Sequence, residues 1–166
     1  MSGKLIVVAL GGNAIKQADE KGTTEEQIRN VDITAAAMVK IVEKGDRLVI
    51  THGNGPQVGN LMIQQDEAKD VVPEQPLVAC GAMTQGQIGW MMQMRMGYHL
   101  EKLGIKKPVC TVVTQVEVSN EDPDFKDPSK PVGPFYTEAD AKAEAAAWGY
   151  VVKEVKPGAP KSWRRV

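Results

Sequence analysis

Six apolar residues, Leu5 to Leu10 (LIVVAL), run without interruption into Gly11, Gly12 and Asn13. A strand apolar at every position, with β-branched residues in it, suits burial on both faces, as in a parallel sheet. The pattern returns at Arg47 to Thr51 (RLVIT), which runs into a second glycine turn, His52 to Gly59 (HGNGPQVG). Between them, Thr24 to Lys44 carries Ile28, Val31, Ala35, Met38 and Val42 at helical spacing on one face. Thr24 and Gln27 have capping-box spacing, and Gly45 is a natural terminator. A second helix is expected near Pro56, because proline suits a first helical turn. A third is expected over Gln85 to Leu103, closed by Gly104, followed by a third strand over Val109 to Val118.

The composition then changes. Ser119 to Pro134 holds four prolines and few apolar residues, and an excursion of that length in a compact domain is usually functional or mobile. Thr137 to Trp148 reads as an alanine-rich helix with Thr137 and Asp140 at capping spacing. Tyr150 to Val155 reads as a strand, and Lys161 to Val166 (KSWRRV) as the start of another, which raises the expectation of a longer protein. Strands alternating with helices imply an α/β fold, a parallel sheet with helices on both faces.

Composition narrows the function classes. The 166 residues suffice for one domain, and 42% are hydrophobic. A net charge of −1 gives no basic excess for nucleic acid or a membrane surface. No run approaches the roughly 18 apolar residues of a membrane span, and Leu5 to Leu10 is too short for a signal-peptide core. Cys80 and Cys110 sit in apolar sequence and read as small core residues of a cytoplasmic protein, not as a disulfide or metal site.

In a parallel sheet, ligands bind at the carboxyl ends of strands, where both glycine turns fall. Gly11 and Gly12 lack a Cβ, so they can take positive φ and let a ligand approach the main chain. Successive N–H groups there form an anion nest, to which Asn13 adds an amide donor. Gly53, Asn54 and Gly55 repeat that chemistry, reinforced by the N–H groups of the helix behind them. One such turn is usually only a turn. Two together suit a phosphoryl donor and an acidic acceptor.

Other signatures fit less well. No G-x-x-x-x-G-K-[ST] occurs, which excludes a Walker loop. GNGPQVG approaches a dinucleotide fingerprint, but Ala79 and Cys80 stand where the acidic ribose ligand belongs. His52 is expected to make a structural hydrogen bond, since phosphoryl transfer rests on positioning and charge more than on a base. Trp90, Met91, Met92, Met94, Met96 and Tyr98 surround the third helix and read as core plus subunit interface. Arg164 and Arg165 read as outward residues of a terminal strand, and Lys4 and Lys16 as solvated. From its residue type and place alone, Lys130 is a solvated loop lysine.

Taken together, VVALGGNAI, VITHGNGPQVG, QGQIGWMMQ and DPSKPVGPFYT resemble the carbamate kinases of the amino acid kinase family, in order, from Leu5 to Val166. The resemblance implies the N-terminal half of an αβα sandwich with a mainly parallel sheet. It implies residues 1–119 as part of the main domain, 120–161 as a small protruding α/β subdomain, and 162–166 as the return. It implies a cytoplasmic homodimer of the arginine deiminase pathway that interconverts ATP and carbamate with ADP and carbamoyl phosphate, with Mg2+ on the nucleotide. By position, Gly11, Gly12 and Asn13 surround the transferring phosphoryl group, with Gly11 and Gly12 also against the nucleotide. Gly53 and Asn54 serve carbamate, and Lys130 reaches the active site from the subdomain. Lys130, Gly11 and Asn13 are the implied catalytic residues. The family's adenine pocket lies in the second half, so this chain alone is not expected to turn over. The alternative is a non-catalytic binding or dimerising module.

Overall fold

The computed structural model describes residues 3–166. Strands β1 (Leu5–Leu10) and β2 (Arg47–His52) pair in parallel, Leu5 opposite Arg47 and Leu10 opposite His52. They are joined by helix α1 (Thr24–Glu43). Helices α2 (Gly55–Ala68) and α3 (Leu77–Lys102) follow. A second, antiparallel sheet holds β3 (Val132–Tyr136), β4 (Val152–Glu154) and β5 (Trp163–Arg165) in the order β3-β5-β4, with helix α4 (Glu138–Trp148) between β3 and β4. The architecture is α/β, with a parallel sheet and a separate small antiparallel one. The chain divides into two compact units, one made of residues up to Pro56 with Gly81–Val113, the other of Gln57–Cys80 with Thr114–Val166.

In the first unit, α1 and α3 supply Val31, Ala35, Met38, Ile88, Met91 and Met96 to one core, against which Val8, Leu10, Leu48 and Ile50 of the strands pack. The opposite strand positions, Leu5, Val7, Ala9, Val49 and Thr51, are exposed, Val7 by 62%. Burial on both faces is therefore not met among the described residues. Both helices of the unit cover one face, and an apolar run cannot say which faces are covered. Trp90, Met94 and Tyr98 likewise stay exposed on α3.

The capping box of α1 sits one residue before the expected pair. Thr23 Oγ1 accepts from the Glu26 N–H (3.3 Å), and Glu26 Oε2 accepts from the Thr23 N–H (2.9 Å). An acidic residue in that turn also complements the helix dipole. Gly45 ends the helix as expected, at φ 91°. Thr23→Ala removes the cap and is expected to lower stability by about 1 kcal/mol. The urea midpoint should fall at unchanged slope; an unmoved midpoint would mean that water replaces the cap at no cost.

Helix α3 starts at Leu77, well before Gln85, with the Cys80 N–H already donating to Pro76 O (3.0 Å). Gly81 hides that start, because glycine is a poor helix former. At the other end Gly104 takes φ 67°, and the Ile105 N–H reaches back to Leu100 O at 2.9 Å. The expected third strand does not form: Val109–Val118 joins no ladder among the described residues, and Val116 is 81% exposed. β-propensity marks a segment able to pair but does not supply the partner. Cys110, expected in a core, is exposed with it, whereas Cys80 is buried.

In the second unit, Val58, Met62 and Cys80 form a small core with Leu61 and Val132. Lys69 Nζ bridges Asp66 (3.1 Å) and Glu144 (2.8 Å), and Asp66 also accepts from the Tyr136 hydroxyl (3.2 Å). Burial, then the charge of Asp66, holds that phenol well above its ordinary range. The two arginines of β5 are not outward residues. Arg164 donates through Nε and Nη2 to Gly133 O (3.0 and 2.6 Å) and lies over Phe135, while Arg165 stacks on Tyr150 at 3.4 Å. Their planar guanidinium groups suit stacking as well as ion pairing.

Candidate functional site

The parallel register sets the carboxyl ends of β1 and β2 level, with Leu10 beside His52. One step on, the Gly53 N–H donates to Leu10 O at 3.3 Å. That bond sets the two glycine turns side by side. Gly11, Gly12 and Asn13 leave one strand, and Gly53 and Asn54 leave its neighbour.

The first turn is a short 3-10 turn, Gly12–Ala14. Its first bond runs from the Ala14 N–H to Gly11 O (3.0 Å), so the N–H groups of Gly12 and Asn13 precede any bond of the turn. The turn is held from behind. Ile15 is 1% exposed in the core, and Asn30 Nδ2 of α1 donates to Ile15 O (3.2 Å) and to Glu20 Oε2 (2.6 Å). Gln17 Nε2 donates to Asn13 O (2.6 Å). The Gln17 N–H holds the Glu20 carboxyl below its ordinary range; burial opposes this, and Asn30 and Arg29 support it. Lys4 is exposed, as expected, but Lys16 is half-buried, its Nζ donating to Gln17 O (3.1 Å).

None of Gly11, Gly12, Gly53 or Gly55 has positive φ; Gly11 lies at φ −73°, ψ 169°. The turns do not use the positive φ that glycine makes available, because a 3-10 turn entered from a strand uses backbone angles open to any residue. Packing does not demand glycine either: a Cβ built at any of the four would meet nothing within 4 Å. Neither backbone angle nor neighbour accounts for the missing side chains. What glycine leaves at these positions is accessible main chain.

In the second turn, Asn54 Nδ2 donates to Thr84 Oγ1 (2.8 Å), and Thr84 Oγ1 donates to Gly81 O (2.7 Å) within α3. Thr84 is 0% exposed. The sequence offers no sign of Thr84, because its partner lies 30 positions away and its spacing on α3 is that of any core residue. His52 Nδ1 donates to Gly53 O (3.1 Å), the structural bond expected of it. Helix α2 begins at Gly55, so its first N–H groups follow the turn directly.

The structure thus brings together Gly11, Gly12, Asn13, Gly53 and Asn54. Lys130 belongs to the second unit, exposed just ahead of β3. Among the described residues no group of three or more His, Cys, Asp or Glu side chains is placed to hold an ion. No helix among them is long and apolar enough to cross a membrane.

The sequence model of the amino acid kinase family matches residues 4–142. The carbamate kinase of Thermococcus kodakarensis is 51% identical over 166 residues, 98% of this chain and 52% of the relative. Carbamate kinase 1 of Enterococcus faecium is 48% identical, over 99% of this chain and 51% of its own. The solved structure of carbamate kinase from Giardia lamblia bound to AMP-PNP matches with a TM-score of 0.89 at 46% identity, covering 100% of this chain and 52% of that one. The chain spans about half the length of the curated relatives it matches.

Proposed function

Because the chain belongs to the amino acid kinase family, we propose that it supplies the N-terminal half of a carbamate kinase, interconverting ATP and carbamate with ADP and carbamoyl phosphate. One observation carries this: the Gly53-to-Leu10 hydrogen bond, which sets side by side two turns whose glycines no internal constraint explains. Phosphoryl transfer asks a protein mainly to position its reactants and to neutralise charge on the equatorial oxygens. Main-chain N–H groups can do both where no Cβ keeps the phosphoryl group away.

In this reading Gly11, Gly12 and Asn13 receive the phosphoryl group, Gly11 and Gly12 lying also against the nucleotide. Gly53 and Asn54 hold carbamate or carbamoyl phosphate, and Lys130 brings an ammonium from the 120–161 subdomain. The AMP-PNP bound by the Giardia relative supports a nucleoside triphosphate as the other substrate. Mg2+ accompanies that nucleotide, and the working enzyme is a cytoplasmic homodimer.

The coverage of about half of each relative favours a second statement, that these 166 residues alone are not a working kinase. The purified chain, assayed for ATP formation from ADP and carbamoyl phosphate, is expected to show no saturable turnover, and a full-length protein containing it is expected to show it. Turnover by the chain alone overturns the need for a second half. Inactivity of the full-length protein overturns the kinase reading and leaves the binding module.

A further inference from the structure

We propose that Thr84 is a positioning residue that fixes the polarity of the Asn54 amide, and that the carbonyl end it leaves free selects a substrate bearing an N–H donor, the amino group of carbamate. The inference rests on the reading above that Asn54 serves the carbamate side.

A threonine hydroxyl has one proton to give. Thr84 Oγ1 lies 2.7 Å from Gly81 O, and a carbonyl can only accept, so that proton is committed within α3. Thr84 is then an acceptor towards everything else. With the residue fully buried, no water can take over the role. Only the Nδ2 end of Asn54 can face it, at 2.8 Å. The two ends of a primary amide lie on opposite sides of its carbon, so Oδ1 is directed away from Thr84. Oδ1 carries no proton and can only accept, and Asn54 is half-buried.

Asn54 thereby presents an acceptor, next to main-chain donors suited to the anionic end of the substrate. Carbamate fits both with its amino N–H and its carboxylate. Acetate has the same carboxylate, but its methyl group cannot donate. A site built around a polar contact rejects the analogue that lacks it, because the site's own group is left unpaired.

The test uses the full-length enzyme with ADP and either carbamoyl phosphate or acetyl phosphate, the second followed as turnover or as inhibition constant. Thr84→Val keeps shape and burial and removes the hydroxyl. It is expected to raise KM for carbamoyl phosphate about tenfold, with a smaller change in kcat, and to reduce the preference over acetyl phosphate by about the same factor, the worth of one hydrogen bond. The melting temperature should hold, and Thr84→Ser should restore both values. If Thr84→Val lowers melting temperature and activity together at unchanged preference, its role is structural and the proposal is overturned. If Asn54→Ala erases the preference while Thr84→Val keeps it, the reading of Asn54 stands and the positioning role falls. If Asn54→Ala changes neither KM nor preference, the site reading fails and takes the proposal with it.

Discussion

Gly12→Val in the full-length enzyme is expected to abolish turnover, by on the order of 10³ or more, while the melting temperature stays nearly unchanged. Two structural facts separate the outcomes. Gly12 does not have positive φ, and an added Cβ meets nothing within 4 Å, so the fold tolerates a side chain there. A phosphoryl group seated on the Gly12 and Asn13 N–H groups would not tolerate it, since two γ-methyl groups would project where its oxygens approach. Gly12→Ala should lose less, which makes the effect a graded steric one. The measurement is kcat beside a thermal melt. An active Gly12→Val enzyme refutes the phosphoryl site, and stability falling in step with activity returns the turn to a structural role.

The second large effect is expected at Lys130. Charge spreads over the equatorial phosphoryl oxygens in the transition state, where a fixed ammonium helps most. Lys130→Ala should lower kcat by roughly 10²–10³. Stability should barely change, since the side chain is exposed. Lys130→Arg should rescue only in part, because the planar guanidinium places its charge differently. Pro128 and Pro131 limit backbone freedom around it without preventing the segment from moving as a lid. Steady-state kinetics with both substrates varied provides the check. If only KM rises, the lysine contributes uniform binding; if nothing changes, it is a solvated loop residue.

Local rules written in neighbouring residues were legible in the sequence. β1, β2 and the body of α1 follow from apolar patterning, and Gly45 and Gly104 terminate helices at positive φ as their positions suggest. The candidate turns were legible because glycines after an apolar strand carry a geometric meaning. What depends on distant partners was not legible. Val109–Val118 has strand composition without a partner, so it is no strand. Arg164 and Arg165 look like surface charges until Gly133, Phe135 and Tyr150 are brought beside them. Thr84 has no local signature at all. For Lys130 only the resemblance of DPSKPVGPFYT singles it out, since nothing in its own chemistry separates it from the other exposed lysines.

The strand order of the antiparallel sheet bears on how the chain is made. β5 pairs with both β3 and β4, which do not pair with each other. The middle of the sheet is thus the last of its strands to be synthesised. At roughly 5–20 residues per second, a ribosome spends on the order of seconds between Val132 and Trp163. Throughout that interval β3 and β4 have no ladder to join. A nascent chain stalled before Trp163 would carry both outer strands and no sheet, so the folding of this unit is gated by translation of its final strand.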